Sequence, residues 1–173
     1  VVGEGGNLGC TQRGRVEYAL TGGRINTDFI DNSAGVNTSD VEVNLKILTS
    51  AIESRGALRR AERDRLLARL TGDVTKLVLR NNYLQSQALS TLELQSAARL
   101  PELQSLIRHL ERKGELDRQV ENLPDDEALA TRRKQGLGLT RPELAVVLAY
   151  SKISLYLACS TQEWIRFEQV MPS

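Results

Sequence analysis

Aromatic residues are scarce in this chain: one Trp, four Tyr and two Phe stand among 173 residues, 4% in all. A nucleic-acid reader that stacks bases has few platforms to use here. A net charge of +1 also gives no broad field to draw in a polyanion or an anionic lipid surface. Histidine occurs once, at His109 beside Arg108, Glu111 and Arg112. With no second His and no nearby Cys or Ser partner, neither a metal site nor a triad is expected. Cys10 and Cys159 are the only cysteines, too few and too far apart for a disulfide framework or a zinc site. Reduced thiols in a cytoplasmic protein fit that pattern better. No apolar run approaches the ~18 residues that would indicate a membrane span. The chain opens Val-Val-Gly with no initiator Met, no basic lead-in and no cleavable apolar segment, so a signal peptide is not expected. That opening reads as the inside of a strand, as in a piece of a longer protein.

What is present is a soluble-type balance of 40% hydrophobic and 26% charged residues. The first third is rich in Gly and Asn, the remainder in Leu, Arg, Glu and Gln. Val1-Val2 running into Gly3-Glu4-Gly5-Gly6-Asn7 reads as a strand end and a glycine loop. Arg15 to Leu20 reads as a short helix stopped by Thr21-Gly22-Gly23, and Arg24 to Asp31 as a second strand. A strand, a helix and a strand in succession suggest one βαβ unit of a parallel sheet.

From Ser39 onward the pattern becomes helical. Ser39 and Glu42 form a capping box, worth about 1 kcal/mol through the serine alone. Val41, Leu45, Leu48 and Ile52 then mark a helix from Asp40 to Ser54. Leu58 to Leu70 predicts a second helix, and Thr71-Gly72-Asp73 a break before a third from Val74 to Arg99. Pro101 opens a helix that Gly114 stops, and Pro124-Asp125-Asp126 opens another that ends near Gly136. Thr140-Arg141-Pro142-Glu143 is a further capping box, leading a strongly apolar helix through Leu144, Val147, Leu148, Ile153 and Leu157.

Several segments carry possible chemistry. Gly3-Glu4-Gly5-Gly6-Asn7-Leu8-Gly9 fails the dinucleotide fingerprint, because the third small position falls on Leu8 and no helix starts directly behind it. It remains a glycine loop where a ligand could approach the backbone and the Asn7 amide. Asn32 is either a strand terminator or a ligand contact, and Ser33, Ala34 and Gly35 are small enough for a flat molecule to lie against. The arginines from Arg55 to Arg69 alternate with Glu62 and Asp64, the pattern of a solvated or interface face. Asn81-Asn82 is a polar pair inside a long helix, either a buried hydrogen-bond position or a subunit contact.

Two of these segments together resemble a known family. Glu4-Gly5-Gly6-Asn7 is similar to the Glu-Gly-Ala-Asn segment of glutamate dehydrogenases. Asp28-Phe29-Ile30-Asp31-Asn32-Ser33-Ala34-Gly35-Val36 is similar to their Pro-Asp-x-x-x-Asn-Ala-Gly-Gly-Val segment, with Thr27 in place of the Pro and Ala34 in place of the first Gly. The long Leu/Arg helices and Leu139-Thr140-Arg141-Pro142-Glu143-Leu144-Ala145 most resemble the large NAD-specific bacterial enzymes. The resemblance extends to about Tyr156, and the tail from Ala158 to Ser173 departs from it.

The resemblance implies a C-terminal fragment of such an enzyme. It would be mainly α, with a remnant of a Rossmann-like α/β domain (residues 1–38, two short strands and a helix) followed by a multi-helix bundle (residues 39–173). It implies NAD as cofactor, with Gly6, Asn7 and Asn32 on the cofactor side. L-glutamate or 2-oxoglutarate would lie against Ser39 and Gly35, with the serine hydroxyl on the substrate's side-chain carboxylate. It implies no metal, no nucleic-acid or membrane partner, and a homo-oligomer. The family's catalytic Lys and Asp and its glycine fingerprint are not in this sequence, so the chain alone is expected to be inactive. The competing reading is a helical oligomerisation or regulatory module with no ligand role; a DNA-binding bundle ranks behind both.

Overall fold

The computed structural model describes the backbone of residues 1–6 and 9–170, with side chains as far as residue 159. The described residues form seven helices: α1 (Gln12–Leu20), α2 (Asp28–Asp31), α3 (Ser33–Ser54), α4 (Arg60–Gln95), α5 (Leu100–Arg112), α6 (Asp126–Lys134) and α7 (Arg141–Val170). The protein is mainly α, as expected. Two compact units are distinguishable. One comprises Val1–Gly3, Cys10–Thr27 and Leu89–Ser173, and the other Glu4–Gly9 and Asp28–Ala88. The expected division after residue 38 falls within α3.

In the first unit, Leu100, Leu103, Ile107 and Leu110 give α5 one apolar stripe at three- and four-residue spacing, and all four are buried. Side chains of this kind contribute roughly 1.5–3 kcal/mol each on full burial. α5 contacts α6 and α7, where Leu129 of α6 and Leu144, Ala145, Val146 and Val147 of α7 are also buried. Pro101 sits in the first turn of α5, and Gly114 (φ +69°) and Gly136 (φ +70°) follow α5 and α6 in the left-handed conformation that favours glycine. Gly138 fits so closely that a Cβ there would lie 2.5 Å from the backbone carbon of Ser96. The Ser96 hydroxyl bonds the neighbouring Leu139 at both ends, donating to its carbonyl at 3.0 Å and accepting from its N–H at 2.7 Å.

The second capping box forms with altered chemistry. Glu143 accepts from both the N–H and the hydroxyl of Thr140, each at 2.7 Å, and takes a bidentate pair from Arg132 at 2.7 and 2.9 Å. This carboxylate is 1% exposed, so α6 is tied to the start of α7 by an ion pair held out of water. The segment Arg141–Cys159 has the length and mean hydropathy (1.3) of a membrane-crossing helix, contrary to the count of apolar runs. Its first two turns are core residues of this unit.

The expected strand from Arg24 to Asp31 does not form. Among the described residues the β structure is one parallel bridge between Val2 and Ile25, with the Val2 N–H donating to Arg24 O at 2.8 Å. Beyond it, the Asp28 carboxylate accepts from the Phe29 N–H at 3.0 Å and Asn32 N–H closes onto Asp28 O at 2.8 Å, winding Asp28–Asp31 into α2. An Asp that bonds its own local backbone competes with a ladder that has so few partners. Arg15 is 1% exposed and spends its guanidinium on the carbonyls of Asn26, at 2.8 Å, and Cys10, at 3.4 Å, holding the loop after the bridge. Thr27 is fully buried there, and its hydroxyl has no hydrogen-bond partner.

The second unit is built on α3 and the part of α4 up to Ala88. The predicted break at Thr71-Gly72-Asp73 is absent, and α4 runs through it. Leu70, Val74 and Val78 continue one stripe at four-residue spacing, with Val74 and Val78 buried. Packing of that stripe outweighs the roughly 1 kcal/mol that one interior glycine costs. Ser39 is likewise not an N-cap. α3 starts six residues earlier, with Asn32 at the cap position and no capping bond from its side chain. Ser33 and Thr38 turn their hydroxyls onto the carbonyls of Ile30 and Ala34, at 2.9 and 2.8 Å, which lets the helical winding extend back through the small residues. Three of the six arginines of this face form ion pairs, two of them with the interleaved acids: Arg59–Glu62 at 2.6 Å, Arg60–Asp64 at 3.9 Å and Arg63–Glu53 at 3.7 Å.

Candidate functional site

The two motif segments meet within the second unit. The Glu4 N–H donates to the Asp31 carboxylate at 2.9 Å, and the Glu4 carboxylate folds back to accept from the Gly6 N–H at 2.7 Å. A Cβ added at Gly5 would sit 3.6 Å from the Asp31 carbonyl oxygen, so the glycine loop runs directly beside the chain that leads into Asn32. Asn7 lies outside the described residues, and Gly6 is exposed at the loop's edge.

From Asn32 onward the geometry follows from the helix. Residues three and seven apart share a face of an α-helix, so α3 lines up Asn32, Gly35 and Ser39 along one stripe. Seven residues at 1.5 Å rise put Asn32 and Ser39 about 10 Å apart. Gly35 keeps the middle of the stripe low, since a Cβ there would meet the Asn32 Oδ1 at 3.2 Å. Gly35 and Ser39 are exposed and Asn32 is half-buried. Ser39 stands within α3 with its side chain exposed. A groove of about 230 Å³ opens at Glu42, three residues further along α3, lined by Leu45, Lys46, Leu67 and Thr71 among others.

Sequence reasoning missed what secures the start of α3. The Ser33 hydroxyl reaches Asn82 Oδ1 in α4, and Gln85 Nε2 donates to the Ser33 Oγ at 3.4 Å. The polar pair Asn81-Asn82 was the available signal. Asn82 proves to be a hydrogen-bond position inside the unit.

The stripe offers an amide, a hydroxyl and a low glycine surface. It can bind and orient a ligand's carboxamide or carboxylate, but it holds no nucleophile–base pair. Elsewhere, Arg108, then Gln104 and Arg118, hold the Asp126 carboxyl well below the usual carboxylate range. The Tyr150 hydroxyl donates to Glu121 at 2.6 Å; that bond, burial and nearby negative charge push its pKa up to about 12. Asp126 ties the start of α6 to α5, and Tyr150 ties α7 to the segment between them. That unit also has a recess of about 440 Å³ between Val2, Asn26, Ser90 and Arg141, where Arg141 bonds Ser90 at 3.1 Å and Glu93 at 3.0 Å. No group of three or more potential metal ligands occurs among the described residues.

Comparison with known proteins places these motifs. The sequence model of the family described as "Bacterial NAD-glutamate dehydrogenase, catalytic domain" matches residues 1–92. Proteins named NAD-specific glutamate dehydrogenase are similar over most of the chain. Those of Halomonas elongata and Pseudomonas aeruginosa are 52% identical over 88% and 90% of it, and that of Mycobacterium tuberculosis is 46% identical over 90%. The chain spans only 9–10% of the length of these relatives. Since the match to the catalytic-domain model takes in both motif segments and more than half the residues, the chain belongs to the bacterial NAD-glutamate dehydrogenase family.

Proposed function

We propose that this chain supplies the nicotinamide- and substrate-facing edge of an NAD-dependent glutamate dehydrogenase. The whole enzyme would convert L-glutamate, NAD and water to 2-oxoglutarate, ammonium and NADH. The observation that carries the reading is the bond from the Glu4 N–H to Asp31, which sets the family's glycine loop against the segment leading into Asn32. The parallel Val2–Ile25 bridge, with α1 between its two halves, supports taking residues 1–38 as the end of a dinucleotide-binding α/β domain. Residues 39–173 would then be the C-terminal helical domain.

NAD, when bound, accepts the hydride; this chain's residues bind and orient. Asn32 offers both an acceptor and donors to a carboxamide, and Gly6 and Asn7 would flank the same ring. Ser39, one helical repeat further on, would donate its hydroxyl to the substrate's side-chain carboxylate, with Gly35 leaving room between the two ligands. The separation of about 10 Å matches ligands laid end to end along the stripe. The enzyme would work in the cytoplasm as a homo-oligomer. The isolated chain, lacking the family's catalytic Lys and Asp, would show no turnover.

Exposed apolar side chains on the second unit, among them Val43, Ile47, Leu48 and Tyr83, favour a second reading as a helical interaction module. Ser39→Ala in the full-length enzyme separates the two. A substrate ligand predicts a KM for glutamate raised tenfold or more with thermal stability kept, because Ser39 caps nothing. An unchanged KM supports the interaction module.

A further inference from the structure

The hydrogen bonds at the start of α3 form a closed set. Ser33 is half-buried and has one hydroxyl proton, for which Ile30 O (2.9 Å) and Asn82 Oδ1 compete, while its lone pair takes the Gln85 amide at 3.4 Å. Asn82 in turn is oriented from its own helix. Its Nδ2 donates to Val78 O at 2.8 Å, which turns Oδ1 toward Ser33. Asn82 and Gln85 are three apart on α4 and therefore share a face. Two amides from one helix thus converge on the first residue of another, 49 and 52 positions away in sequence.

Asn32 stands at the cap position of α3, directly before Ser33. Its position depends on where α3 begins. A start one residue later would leave Asn32 outside the helix, off the line that Gly35 and Ser39 keep. We propose that Asn82, with Gln85, is a positioning residue for the cofactor side of the site: it clamps Ser33 and so fixes the start of α3 and the placement of Asn32. The proposal rests on the glutamate dehydrogenase reading, because it gives Asn32 a ligand to be placed against.

The test is steady-state kinetics of the full-length enzyme carrying Asn82→Leu, Asn82→Asp, Asn32→Ala and the Asn32→Ala/Asn82→Leu double substitution. Asn82→Leu, which keeps the size and removes the acceptor, is expected to lower kcat/KM for NAD by about ten- to a hundredfold, the scale of a small misplacement. Asn82→Asp keeps an acceptor for the Ser33 hydroxyl but gives up the bond to Val78 O, and is expected to recover part of the loss seen with Asn82→Leu. Because the clamp works through Asn32, Asn82→Leu should cost nothing further once Asn32 is alanine. Ser33→Ala breaks the same contact from the other end and should give the same loss if Asn82→Leu does not fold. Three results would overturn the clamp: unchanged kcat/KM in folded Asn82→Leu, losses that multiply in the double substitution, or no recovery with Asp. If Asn32→Ala alone changes nothing, the ligand reading of the site falls and the clamp falls with it.

Discussion

Thr27 keeps a hydroxyl in a fully buried position with no partner, in the place where the related dehydrogenase motif has proline. An unsatisfied buried hydroxyl costs about 1–3 kcal/mol, so Thr27→Val, which keeps the shape and removes the oxygen, should stabilise the protein by about 1 kcal/mol. Urea unfolding of the two forms checks it: a higher midpoint with an unchanged slope is expected. Ser39 teaches a different lesson. Its pairing with Glu42 satisfied the sequence rule for a cap, yet Glu42 pairs with Lys46 at 3.6 Å and the helix starts at Ser33. The spacing was legible, but which of two starts would win depended on Ser33 contacts far away in sequence.

Helices whose boundaries rest on local chemistry were readable. α5 and α6 begin and end at their prolines, Asp125 and following glycines, because caps and left-handed turns act within a few residues. Two elements were not readable for the same physical reason. Arg24–Asp31 has strand-like alternation, but a single bridge leaves it without a ladder. Thr71-Gly72-Asp73 looks like a stop, but the Leu70–Val74–Val78 stripe carries the helix across. The continuous α4 makes a prediction of definite sign. A Cβ at Gly72 would meet no atom within 4 Å, so Gly72→Ala should raise stability by roughly 0.5–1 kcal/mol. A helix broken there, with glycine supplying the turn, would be destabilised by the same change, and thermal melting distinguishes the two.

Across the whole molecule the ion pairs sit mostly on exposed faces, and their effect shows as pH dependence. Asp126 (chiefly through Arg108), Glu62 (through Arg59) and Glu115 (chiefly through Ser154) all have lowered pKa values. A carboxyl lowered in the folded state adds stability above its unfolded value, near 4, and loses it as pH falls toward the folded value. The melting temperature should therefore decline below about pH 4, and Asp126→Asn should lower it at pH 7 and flatten that acid limb, the two forms converging at low pH. At this scale the residue periodicity read correctly as mainly helical, and the family was legible from two short segments with distinctive residues, Glu4-Gly5-Gly6-Asn7 and Asp28 to Val36. The clamp on Ser33 was not, since nothing in a sequence says which polar residue of a long helix will meet a residue 49 positions away.

The central claim is that one face of α3 presents Asn32, Gly35 and Ser39 to cofactor and substrate. A structure of the full-length enzyme with NAD and 2-oxoglutarate tests it most directly. The expected result is the Asn32 amide within hydrogen-bond distance of the nicotinamide carboxamide and the Ser39 hydroxyl on the substrate's side-chain carboxylate. Ligands bound elsewhere, with that face of α3 turned to solvent or packed against protein, would contradict it.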